Sequence, residues 1–198
     1  MAISTVQIAN FALSKIGSDS TIESLTENSA EANVCNLWID HARKQALAAF
    51  NWDFARVRGT LATHGDDAPT EWTYRYVYPA DCVKARFMYN PLGRKENPVP
   101  YEVEQSDNGT KSIVTDQIDA ILVYTKDEST PSLYTDWFIE LLATALGSKI
   151  AYALTGKRNL QRSLAAEARF MAIMAPSVDA VEQEAAPPRD ADHIRERD

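Results

Sequence analysis

Residues 137–154 read WFIELLATALGSKIAYAL, eighteen positions with only two charges, Glu140 and Lys149. A surface helix carries one apolar stripe and a charged opposite side. Here Trp137, Phe138, Ile139, Leu141, Leu142, Leu146, Ile150, Tyr152 and Leu154 occupy most of the circumference, and a helix apolar nearly all round is buried on several sides. The segment predicts a central helix, with neighbouring subunits supplying part of its cover through Trp137, Phe138, Leu141 and Tyr152. Its length reaches the ~18 residues of a membrane span. Two internal charges, each worth about 2.5–3.5 kcal/mol at bilayer depth, argue against that reading. So do the Gly147-Ser148 pair and the lack of a second such stretch.

Outward from this segment the pattern stays helical. Pro131 in the first turn and Gly156 beyond the end suit a helix's two termini, predicting about 35–38 Å of helix at 1.5 Å per residue. Gly147 in its middle costs about 1 kcal/mol against Ala, which a close helix–helix approach would explain. A fourth helix spans Arg158 to Met174, with Leu160, Leu164, Ala168, Met171 and Met174 inward and Pro176 as its stop. Near the start, Val6, Ala9, Leu13 and Ile16 mark a helix from Ser4 to Ile16, closed by Gly17. A second runs from Ser29 to Asn51, capped by Ser29 or Asn28, with Val34, Leu37, Trp38, Ala42 and Ala46 as its inner stripe.

Between the two helical pairs the period falls to two. Candidate strands are Phe54–Ala62, Trp72–Tyr78, Cys82–Tyr89, Pro100–Glu104, Ser112–Thr115 and Ala120–Thr125, rich in Tyr, Val, Phe and Ile. The turns fall at His64–Pro69, Asn90–Gly93 and Asp107–Gly109, where Asn108-Gly109 predicts a type I′ hairpin. The fold class is α+β: a four-helix bundle from residues 1–53 and 130–175, with an inserted antiparallel β domain of about six strands at 54–129. Residues 176–198 are charged, contain Pro187 and Pro188, and have too little apolar surface to order themselves.

A net charge of −8 opposes tight sequence-independent binding to nucleic acid, which needs Lys and Arg on phosphates. The start, MAISTVQIAN, lacks a basic stretch before an apolar core, so no secretory leader is predicted. Cys35 and Cys82 make neither a disulfide framework nor a metal knuckle and read as buried thiols. The phosphate-binding, zinc-protease, nucleophile-elbow and calcium-loop motifs are missing. His41, His64 and His193 are scattered. Glu102 and Glu104 share one strand face and read as solvated. The aromatic run Trp72, Tyr74, Tyr76 and Tyr78 reads first as a packed sheet face. Its functional readings are a protein–protein surface or a stacking platform for single strands, the latter with only Arg75 for charge.

Four stretches in order carry a family resemblance: ALSKIGSDSTIESLTENSAEAN (12–33), ALAAFNWDFARV (46–57), YVYPADCVKARFMY (76–89) and ILVYTKDESTPSLYTDWFIELLATALGSKIAYALTG (121–156). Together they resemble the head-to-tail adaptors of short-tailed phages, often called tail tubular protein A, over residues 5–175. The resemblance implies a ring of about twelve subunits under the portal, located in the virion neck and assembled in the host cytoplasm. Such a ring extends the double-stranded DNA channel without binding DNA specifically and presents a platform to the tail nozzle. It implies no catalysis, no cofactor, no metal and no membrane. It places portal docking in the tail, here Pro187, Pro188, Arg189, Ile194, Arg195 and Arg197. It turns the β-domain loops, here Asp66, Asp67, Leu92, Arg94 and Asn108, toward the tail. The alternative is a nucleic-acid-binding module on the aromatic strand.

Overall fold

Ser4 opens the first helix, α1 (Thr5–Lys15), with a reciprocal cap: its hydroxyl accepts from the Gln7 amide, and the Gln7 side chain accepts from the Ser4 amide. Two orphan helix donors are thereby satisfied. Its end is a Schellman turn in which Gly17 takes φ +72° while the amides of Gly17 and Ser18 donate to Ser14 and Leu13. Ser29, not Asn28, caps α2 (Ala30–Ala49) by accepting from the Ala32 amide. A computed structural model describes residues 3–90 and 99–179, with side chains to 176. Leu92, Arg94, His193 and the six expected portal-docking residues lie outside them.

After α2 the chain turns through a short 3-10 segment (Asp53–Ala55) into β1 (Arg56–Thr60). β2 (Tyr74–Val77), β3 (Cys82–Tyr89), β4 (Glu102–Gln105), β5 (Lys111–Thr115) and β6 (Ile121–Lys126) complete two three-stranded antiparallel sheets, ordered β1-β6-β3 and β2-β5-β4. All six expected strands exist: β1, β2 and β4 are shorter than expected, β3 keeps its bounds, β5 gains Lys111, and β6 lies one residue further on. β1 stops at Thr60 because the following residues leave β6 and pair with β2, through Val77 N to Ala62 O and His64 N to Arg75 O. A Thr63–Tyr76 bridge on one side and a Met88–Val99 bridge on the other join the sheets. Between them lies a core of Leu61, Tyr76, Met88, Ile113, Ala120, Leu122 and Tyr124. The Asn108-Gly109 hairpin forms, but not as type I′. Asn108 keeps negative φ, Gly109 alone is left-handed at +83°, and its amide closes a four-residue turn on Ser106 O. That is a type I turn followed by a glycine bulge. Asn108 prefers it because its side-chain oxygen accepts from Ser106 and Thr110.

The central helix, α3 (Asp136–Thr155), is shorter than expected, about 30 Å. Pro131 instead opens a separate 3-10 turn (Pro131–Leu133). Tyr134 stays extended so that its ring reaches Phe54 and Phe138 and its hydroxyl donates to Glu128 O. Thr135 then caps α3. α4 (Arg158–Asp179) runs past Pro176. Proline breaks a helix by losing one amide bond and crowding the preceding turn, yet the fully buried Ala175 holds this turn on the core.

α1, α2 and α4 all pack on α3, around a core that includes Ile8, Leu13, Leu47, Trp52, Phe138, Leu142, Leu146 and Ile150. α3 is long and apolar enough to cross a membrane, but most of that surface is covered inside the chain. A β-carbon on Gly147 would lie 3.5 Å from Ala12 O of α1 and 3.5 Å from Leu164 of α4, ordinary van der Waals contact, so the approach there does not itself require glycine. Of the expected inner stripe of α2, Ala42 and Ala46 are buried and Val34 and Trp38 pack on the core, with Ala32, Cys35, Ile39 and Leu47 beside them, but Leu37 is 72% exposed.

The sheets lie against α2 through β3 and β6. β3 carries two register shifts, which leave Val83 and Arg86 as extra residues opposite β6. A bulge re-aims a side chain, and these are the two that reach the helices. Val83 packs on the helical core. Arg86 donates from Nη2 to the carbonyls of Leu47 (3.0 Å), Ala48 (3.2 Å) and Phe50, and from Nε to Thr125 Oγ1 (2.8 Å). Those carbonyls are the unsatisfied, electronegative end of α2, so a strand side chain caps the helix.

Candidate functional site

Two chain segments some forty residues apart meet at one end of the β layer. The His64 ring joins them: its Nδ1 accepts from the Asp66 amide at 3.0 Å and its Nε2 faces Thr110 Oγ1 at 3.3 Å. The Gly65–Pro69 loop and the Glu104–Asp107 end of the hairpin thereby line one pocket of about 630 Å³ with Arg75. Arg75, Val114, Ser112 and Glu104 share a sheet face, by the pairing of Arg75 with Val114 and of Glu104 with Ser112. Arg75 Nη2 meets Glu104 Oε1 at 2.8 Å, and the arginine side chain is 7% exposed. Its Nε and Nη1 are buried without a hydrogen-bond partner among the described residues, as is Asp66 Oδ2. Four carboxylates, of Asp66, Asp67, Glu104 and Asp107, surround the one guanidinium.

Of the residues expected to face the tail, Asp66 and Asp67 line this pocket, and Asn108 is exposed on the adjoining turn. Arg75 and Glu104 were not expected to form a site: Glu104, read as solvated, instead meets the buried Arg75. Their signal was an arginine alternating with core tyrosines and a glutamate on the outward parity of an edge strand.

A smaller pocket, about 390 Å³, lies where α2 meets the sheets, lined by His41, Lys44, Asp81, Cys82 and Asp127 among others. Several of its polar groups are already engaged, one set across the layers and two within the β layer. Asp127 takes Arg43 at 2.9 Å and Lys44 at 3.3 Å. Asp81 accepts from Tyr124 at 3.1 Å. Cys82 Sγ donates to the Tyr78 hydroxyl at 3.1 Å, and burial pushes its thiol up, away from the nucleophilic thiolate. Burial likewise lifts Cys35 to about 11. Among the described residues, no group of three or more His, Cys, Asp and Glu side chains is placed to hold a metal ion.

The expected subunit contacts need correction. Phe138 and Leu141 are 0% and 2% exposed within the single chain: the rings of Trp52, Phe54 and Tyr134 pack around Phe138, and Leu141 lies in the helical core. Trp137 is half-buried and donates its indole N–H to Met171 O at 3.3 Å, tying α3 to α4. Tyr152 is 48% exposed beneath the Arg158 guanidinium. The larger outward apolar side chains of the helices are instead Phe11, Leu37, Phe170 and Ile173. The tyrosine run divides: Tyr76 sits in the β core, Tyr74 and Tyr78 pack at its edge, and Trp72 lies in the turn before β2.

No protein-family model matches this chain, and no curated protein matches it.

Proposed function

We propose that this chain is a structural head-to-tail adaptor of a phage virion, forming a ring below the portal and a platform for the tail nozzle. The observation that carries the reading is α3, enclosed by helices from both ends of the chain with a separate β layer inserted between them. It joins the ordered resemblance at 12–33, 46–57, 76–89 and 121–156. In this reading the four helices act as a bundle forming the ring wall, and the β layer projects toward the tail. Phe11, Leu37, Phe170 and Ile173 replace Phe138 and Leu141 as the apolar surface for neighbouring subunits. A closed ring needs two different faces of each subunit to fit one another, and these side chains lie on three different helices. The net charge of −8 suits a channel that passes duplex DNA without holding it. The runner-up, a nucleic-acid module on the Trp72–Tyr78 strand, has less support because Tyr76 is committed to the β core.

Native mass spectrometry of the chain with the portal ring encoded beside it tests the proposal. A complex of about one copy per portal subunit is expected, weakened when residues 180–198 are deleted. A chain that ignores the portal at micromolar concentration would overturn it.

A further inference from the structure

We infer that the pocket between the Gly65–Pro69 loop and the β4–β5 hairpin receives a basic side chain, Lys or Arg, from a partner polypeptide, with the partner's adjoining main-chain carbonyl on Arg75. Two independent observations meet here. The rim is acidic: Asp66, Asp67 and Asp107 add three carboxylates beyond the Arg75–Glu104 pair. The floor holds a guanidinium 7% exposed whose Nε and Nη1 donate to nothing in the described chain. Burying such donors unpaired is expensive, so the geometry asks for an acceptor at Arg75. An anion meets that demand but is repelled by the rim. A bare cation suits the rim but offers Arg75 nothing. A polypeptide segment supplies a carbonyl oxygen and an ammonium or guanidinium together.

Asp66 points the same way. Its Oδ2 is buried without a hydrogen bond and lies 3.7 Å from His64 Nδ1. That nitrogen already accepts from the Asp66 amide, so a neutral imidazole has no proton to offer the carboxylate. A partner's N–H would fill the position. The volume, about 630 Å³, is within the ordinary range for a ligand site. That the partner is the next tail component rests on the adaptor reading; the chemistry of the pocket does not.

The test uses the full ¹⁵N-labelled chain at low salt, titrated separately with the Nα-acetyl, N-methylamide derivatives of lysine, arginine, norleucine and glutamate. Lysine and arginine probes should shift the amides of Gly65–Ala68 and of Glu104–Gly109 saturably. Asp67→Asn/Asp107→Asn alters two exposed side chains and leaves the fold intact; it should weaken both basic probes at least about three-fold, the scale of two exposed charge pairs. The inference is overturned by any of three results: no saturable shift up to tens of millimolar, norleucine or glutamate acting as strongly as lysine, or unchanged binding by the double variant. A portal complex alongside a failed titration removes only this inference. A successful titration without a portal complex removes only the adaptor.

Discussion

Arg86 ties β3 to both α2 and β6. It reaches three carbonyls at the end of α2 while also holding Thr125 of β6. Burial disfavours its charged form and lowers its pKa, so its bonds are made against desolvation, and losing them would strand several buried acceptors. Arg86→Ala is expected to lower stability by about 2–4 kcal/mol, read from the urea midpoint. Arg86→Met, which keeps the packing of the stem, should recover only a minor part. Glu27 makes a different prediction. Its carboxylate accepts from the amides of Glu23 and Ser24 and from the Ser29 hydroxyl, bonds that favour the charged form and hold its pKa below the usual carboxyl value of 4.5. A lowered folded pKa contributes stability that is present above that value and lost as the pH falls below it. The urea midpoint should therefore fall between pH 5.5 and 3.5, less steeply in Glu27→Gln. Equal slopes would contradict this.

At the scale of elements, α3 defines what its neighbours can do. Gly147 faces Ala12 O and Leu164 at 3.5 Å from where a β-carbon would sit, an ordinary van der Waals separation. Gly147→Ala should fit and raise stability by up to about 1 kcal/mol through helix propensity, or roughly 2–4 °C in Tm for a chain of this size. Gly147→Leu should lower Tm, since larger atoms would push α1 and α4 off the helix. A destabilising Ala variant would mean the approach is tighter than this geometry. The four α-helices and six strands of the described residues were legible in the sequence, because periods of 3.6 and 2 are written in side-chain polarity; the two 3-10 turns were not. Their ends were less so. Pro131 matched a helix start, but the aromatic packing of Tyr134 on Phe54 and Phe138 overrode it. Pro176 matched a stop, but the burial of Ala175 outweighed it. Leu37 matched an inner stripe, but Cys35 and Ile39 on either side of it take the buried positions. Tertiary contacts decided each case, and local propensity cannot register them.

For the whole molecule, the over-apolar character of α3 foretold burial correctly, but the chain itself covers Phe138 and Leu141, which were expected to face a neighbour. A sequence reports how much surface a helix must hide, not whether the cover is its own chain or another copy. The pocket was partly legible. Asp66, Asp67 and Asn108 stood in turns, but Arg75 and Glu104 are twenty-nine positions apart and met only through the order β2-β5-β4. That order also has a consequence in time. The β layer closes once Lys126 is made, yet α1 and α2 lack their main partner until α3 is complete at Thr155, about a hundred residues after α2 ends. At 5–20 residues per second on the ribosome, these two helices wait roughly 5–20 s with their apolar faces open. The helix made first is among the last to be covered, so the nascent chain, more than the finished protein, is where a chaperone or a protease would find it.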